Sequence, residues 1–102
     1  MKVFLSHPMY GRTDEECLTY RSNALKVIQT MHPSEEVELL ETFIHENAPK
    51  NATRQWHLGE SIKSMGDADI VYFSKDYEQA RGCRIEFQIC LEYEIPYGIL
   101  EI

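Results

Sequence analysis

The chain predicts an α/β fold built on a parallel sheet, and three observations carry that prediction. Val3-Phe4-Leu5 and Ile70-Val71-Tyr72-Phe73 are apolar runs of strand length, rich in β-formers. Between such runs lie stretches whose apolar residues recur at helical spacing. Strand and helix signals then alternate along the whole chain, the order that gives parallel strands with right-handed helical crossovers.

Each element has its own signal. Val3-Phe4-Leu5 is a buried first strand, broken by Pro8 and Gly11 in the segment from His7 to Arg12. Thr13 followed by Asp14, Glu15 and Glu16 reads as a helix start with a cap and acids in the first turn. Leu18, Arg21, Leu25 and Ile28, with Ala24, mark the face of this helix up to Met31, and Pro33 ends it. Val37 to Phe43 is the second strand, and His45 to Lys50 a polar loop containing Pro49. The second helix runs from about Thr53 to Met65, with Asn51 or Thr53 as cap, with Leu58, Ile62 and Met65 inward, and with Gly66 closing it. Ile70 to Phe73 is the third strand and Ser74 to Arg81 a polar loop. A third helix runs from Gly82 to about Glu94, Pro96 blocks its extension, and Tyr97 to Ile102 is the last strand.

At 102 residues the chain has room for one core and one domain, residues 1–102. The expected sheet is flavodoxin-like (Rossmann-like), about four parallel strands in order 2-1-3-4 with helices on both faces. In such open sheets ligands bind beyond the carboxyl ends of the strands, where the order reverses. Two loops are therefore candidate walls of a site, Ser6 to Arg12 and Ser74 to Arg81.

Charge narrows the partners. The net charge of −7 argues against long nucleic acid, which needs a basic face to displace counterions. It leaves small nucleotides open, because they need only a few local donors. No apolar run approaches the roughly 20 residues of a membrane helix. The apolar stretch after Met1 is too short for a signal peptide. Cys17, Cys83 and Cys90 are odd in number and lack metal-ligand spacing, which predicts reduced core thiols and a cytoplasmic protein. His7, His32, His45 and His57 are scattered, so the expectation is no metal and no cofactor.

Glu86 is the residue that does not fit a structural role. Cys83, Glu86, Phe87 and Cys90 share one helical face, and three of the four are apolar. An unpaired buried carboxylate costs several kcal/mol after relaxation, so it needs a partner or a task. The task open to it is nucleophilic attack at the anomeric carbon of a sugar, or stabilisation of positive charge there. The competing reading is an ion pair with Arg84, Arg81 or Lys75 that ties down the loop. Arg81, Gly82 and Arg84 lie where a helix N-terminus can hold an anion, with Gly82 permitting close backbone approach; the alternative is a solvated basic turn. Ser6, His7, Pro8, Met9 and Tyr10 form the other wall, with Tyr10 able to stack on a ring, or an ordinary βα turn. Ser61 interrupts an apolar stripe and is a further candidate for substrate contact; the competing reading is a hydroxyl satisfied on its own helix. Trp56 reads as a packing or subunit-contact residue.

Three stretches together resemble the nucleoside 2-deoxyribosyltransferase-like superfamily, in particular its small bacterial and phage branch. They are Met1 to Gly11, Asp67-Ala68-Asp69-Ile70-Val71-Tyr72-Phe73, and Ala80-Arg81-Gly82-Cys83-Arg84-Ile85-Glu86 with Pro96 beyond. The most specific piece is the Gly-x-Arg-x-Glu element after a strand that begins Ala-Asp. The resemblance implies a flavodoxin-like fold, a homo-oligomer, and cleavage or transfer at the N-glycosidic bond of a nucleoside or nucleotide. Glu86 matches the family's nucleophile, Gly82 the glycine of its element, and Ser6 to Tyr10 its first loop. Phe4, Ser61 and Ala80 stand where catalytic members carry a tyrosine, an aspartate and, in nucleotide-cleaving members, a serine. Those substitutions favour a second expectation, a non-catalytic protein that binds a nucleotide-derived metabolite or signal, as a phage-encoded sequestering protein would. Phe4-Leu5-Ser6-His7 also resembles the first strand of TIR domains, but the later motifs differ.

Overall fold

The computed structural model describes residues 1–40 and 48–102. Its sheet has four strands, β1 (Lys2–Ser6), β2 (Glu38–Leu39), β3 (Ile70–Phe73) and β4 (Tyr97–Ile99), all parallel and ordered β2-β1-β3-β4. This is the flavodoxin-like arrangement expected from the alternation. The central pair is in register from Val3 against Ile70 to Ser6 against Phe73. Of the strand expected from Val37 to Phe43, the described residues place Glu38 and Leu39 in β2 and leave Val37 and Leu40 out of it; residues 41–43, and the beginning of the loop expected from His45, lie outside the described residues.

Helix α1 (Asp14–Met31) begins with a full capping box: the Glu16 backbone N–H donates to Thr13 Oγ1, and the Thr13 N–H donates to the Glu16 carboxylate. Helix α2 (Arg54–Met65) is capped by Thr53, which accepts from the Trp56 N–H, so the cap choice between Asn51 and Thr53 falls to Thr53. Helix α3 (Arg81–Glu92) follows a 3₁₀ turn at Tyr77–Gln79 and starts without a side-chain cap. Among the described residues no helix is long and apolar enough to cross a membrane.

The two faces of the sheet build two apolar clusters. Val3, Leu5 and Tyr72 face Ala24 and Ile28 of α1, with Leu100. Phe4, Val71 and Phe73 face Met65 of α2 and Cys90 of α3. The alternation of side chains along β1 assigns successive residues to opposite faces. The buried stripe of α1 differs from the expected one. Leu18 is 53% exposed, while Cys17, Ala24 and Ile28 are buried. The stripe at 17, 24 and 28 runs along the helix beside Tyr20 and Arg21, and Leu18 falls off its edge. All three cysteines are free and buried. Burial pushes the Cys83 and Cys90 thiols up to about 11, so they are unreactive core groups.

Gly98 on β4 is required by packing. A Cβ there would meet the Tyr72 ring at 2.6 Å. The ring lies against the β4 backbone, and its hydroxyl shares a 2.7 Å hydrogen bond with His32 Nε2 at the end of α1. At the amino end of the sheet, Asp69 joins β1 and β3. Its carboxylate accepts from the Lys2 N–H at 2.7 Å, and its own N–H donates to the Lys2 carbonyl. The aspartate of the Ala-Asp element thus sets strand pairing at the end remote from the loops suspected of forming a site.

Candidate functional site

Four polar side chains are buried among the described residues: Ser6, His7, Ser74 and Glu86. All gather at the carboxyl ends of β1 and β3. Ser6 is the last residue of β1, His7 follows it, and Ser74 follows β3, its N–H donating to the Ser6 carbonyl at 2.9 Å. Glu86 reaches them from the second turn of α3 because its helical face, shared with Cys83 and Cys90, packs inward.

Glu86 is 6% exposed. Its Oε1 accepts one hydrogen bond, from Ser6 Oγ at 2.7 Å. No cation lies within ion-pair distance of it among the described residues. The ion pair with Arg84, Arg81 or Lys75 that would have explained its burial is not formed. Arg84 instead donates to the Glu78 carbonyl at 2.6 Å, and Arg81 and Lys75 are exposed. Desolvation pushes the Glu86 carboxyl up to about 7, and the Ser6 hydrogen bond offsets only part of it. The group therefore exchanges its proton near neutrality.

A hollow opens beside this carboxyl, lined by Phe4, Leu5, Ser6, His7, Met9, Ser61 and Glu86. Its volume is about 20 Å³, room for one water or one hydroxyl and not for a ring. The structure brings five of the residues singled out in the sequence, Ser6, His7, Met9, Ser61 and Glu86, around it. Pro8, Tyr10, Arg81, Gly82 and Arg84 do not line it. Pro8 is buried in the loop after β1. Tyr10 is 90% exposed at the loop's tip, with the Arg54 guanidinium 5.6 Å from its ring centroid. A Cβ on Gly82 would make only ordinary contact with Leu58, so nothing in the fold demands a glycine there.

No family model, curated protein or solved structure matches this chain.

One feature of the site went unread in the sequence. Arg12 Nη2 meets Asp76 Oδ2 at 2.5 Å, and Asp76 Oδ1 accepts from Ser74 Oγ at 2.7 Å. This chain of contacts fastens the loop after β1 to the loop after β3. Burial opposes ionisation of Asp76, but the hydrogen bonds from Arg12 and Ser74 outweigh it and hold its pKa below the ordinary value. The signal was opposite charges in two loops that the topology brings side by side.

Proposed function

We propose that this protein binds a nucleoside or nucleotide at the carboxyl end of β1 and β3, and cleaves or transfers at its N-glycosidic bond with Glu86 as nucleophile. The observation that carries the reading is a buried carboxyl whose single hydrogen bond comes from Ser6, with no neighbouring cation among the described residues and a hollow beside it. A carboxyl kept only for stability would be paired.

In the proposed step the Glu86 carboxylate attacks the anomeric carbon. The C–N bond breaks, and its electron pair leaves with the base, which takes a proton from solvent. The glycosyl ester on Glu86 is then opened by water or by a second base at the same carbon, which frees the carboxylate. Ser6 holds one carboxyl oxygen and so orients the other. The sugar ring would lie at the mouth of the small hollow, while the base would lie toward Met9 and the exposed loop tip. Homo-oligomerisation and a cytoplasmic location belong to the same proposal.

A second reading, binding of a nucleotide-derived metabolite without turnover, is favoured by Ser61. That residue lines the hollow where the resemblance places an acid, and among the described residues no second carboxylate lines it. General acid–base help is worth about 10²–10⁴-fold in rate. Incubation with deoxynucleosides, their 5′-monophosphates and nicotinamide dinucleotide decides between the two readings. Release of free base, abolished in Glu86→Gln with binding retained, supports the enzyme. A rise in thermal midpoint without base release supports the binder. Turnover that survives Glu86→Gln rejects the nucleophile.

A further inference from the structure

The group in this site without an assigned task is His7. It is 5% exposed and lines the same hollow as Glu86. Ser6 is bonded to Glu86, and Ser74 to Asp76, so the other three buried polar side chains are satisfied. Neither Nδ1 nor Nε2 of His7 has a hydrogen-bond partner among the described residues. The Pro8 carbonyl lies close enough to ease the ring's protonation slightly, but it forms no hydrogen bond of good geometry. The ring packs against Tyr20 with centroids 5.2 Å apart. Burial, reinforced by Arg21, lowers the imidazole pKa to about 4, so the ring is neutral at physiological pH.

Buried polar groups without partners are rare in folded proteins, because each forfeits its hydration. A neutral imidazole offers one N–H donor and one acceptor, and nothing fixes which nitrogen is which here. The chemistry of its partner follows from three constraints. An anion is disfavoured, because the ring carries no charge and the Glu86 carboxyl shares the hollow. An ammonium would satisfy only a lone pair. A hydroxyl is neutral, meets either tautomer, and matches a hollow of about 20 Å³.

We propose that His7 is the hydroxyl-reading residue of the site, hydrogen-bonding a sugar hydroxyl of the bound nucleoside within the hollow it shares with Glu86. This rests on the function proposed above and goes beyond it by naming the ligand group and the residue that reads it.

The test uses the intact chain and four deoxynucleosides, followed by thermal-shift or calorimetric titration. The tightest binder is compared with its 3′-deoxy and 5′-deoxy analogues. Wild type should lose about 5- to 100-fold in affinity when one of the two hydroxyls is absent. His7→Phe should bind the parent as weakly as wild type binds that analogue, and should no longer distinguish the two. His7→Asn, which keeps a donor and an acceptor, should recover part of the discrimination. The ¹⁵N resonances of the His7 ring in wild type should move with the parent nucleoside and not with the discriminated analogue, a readout that needs no variant to fold. His7→Phe that keeps the wild-type ratio, or ring resonances that stay still on saturation, overturns the assignment of His7 while leaving the Glu86 site standing. Wild type that binds none of the four deoxynucleosides overturns the assignment of His7, and it overturns the function proposed above only where the four 5′-monophosphates fail to bind as well.

Discussion

The same two central strands make both the most apolar and the most polar parts of the interior. Along their bodies, Val3, Phe4, Leu5, Val71, Tyr72 and Phe73 feed two clusters closed by α1 on one face and by α2 and α3 on the other. One residue further on, Ser6, His7 and Ser74, joined by Glu86, are buried as well. Area buried along the body is stabilising at about 25 cal/mol per Å². At the tip, desolvation works against the fold, and it shows in the pKa values of Glu86 and His7, both moved toward their neutral forms. The chain thus confines its unfavourable burial to the end of the sheet where ligands bind in folds of this type.

The largest expected effect lies in the body. Phe73 is fully buried, and its ring packs on Tyr77, Phe87 and Tyr97. Phe73→Ala should cost about 3–5 kcal/mol in urea unfolding, equally at pH 5 and pH 8, because no titrating group is removed. At the tip the sign should reverse. The Glu86 pKa rises from 4.5 when unfolded to about 7 when folded. Both states are protonated at low pH, so the residue then costs nothing. Between 4.5 and 7 the unfolded chain ionises while the folded one resists, and stability falls until it levels off above 7. Glu86→Gln removes that loss. It should stabilise by up to about 3 kcal/mol at pH 8 and leave stability unchanged below pH 4.5. A Glu86→Gln protein less stable than wild type at pH 8 would mean that the carboxylate has a cationic partner, and the contrast between body and tip would fail.

His7 carries the opposite slope. Its pKa falls from 6.5 to about 4 on folding. Above 6.5 the ring is neutral in both states and its titration costs nothing; as pH drops toward 4 the unfolded chain gains a proton that the folded one refuses, and stability falls. His7→Phe should therefore flatten the acid limb between pH 6.5 and 4. At pH 7.5 it should add about 1 kcal/mol, by removing a polar group without a partner. Between 4.5 and 6.5 the two titrations oppose each other in wild type. Each single variant should expose the slope of the other residue, which denaturant curves at pH 4.5, 5.5 and 6.5 would record.

How much of this was legible in sequence follows the same division. The body announced itself through strand-length apolar runs and helix caps, down to the capping box at Thr13. The tip announced itself only through Glu86, an acid on a face otherwise set by Cys83, Phe87 and Cys90. Its partner, Ser6, lies 80 positions away, and nothing in the sequence distinguishes a hydroxyl partner from an arginine. Arg81 and Arg84 carried the right charge, yet they sit on the exposed side of α3. Leu18 misled because the α1 stripe is set by Cys17, which packs as a small apolar residue one position earlier. The Arg12–Asp76 contact was legible only through topology, since opposite charges 64 positions apart pair when the loops after β1 and β3 meet in space.

That contact belongs to neither body nor tip, and it should have the smallest effect on stability. Both side chains keep about a third of their exposure, so screening limits the pair. Asp76→Asn should cost about 0.5–1 kcal/mol at low ionic strength and less in 1 M salt. Because the Asp76 pKa is depressed on folding, the cost should vanish as pH falls through the folded value. Its effect on the loops should be larger than its effect on the fold. Arg12 and Asp76 hold together the segments after β1 and β3, which carry His7 on one side and Ser74 on the other. Releasing them should speed amide exchange in residues 9–12 and 76–80 while leaving β1 and β3 protected. Exchange that accelerates equally in the strands would make the pair part of the body, and the separation of an apolar scaffold from a polar working end would have to be redrawn.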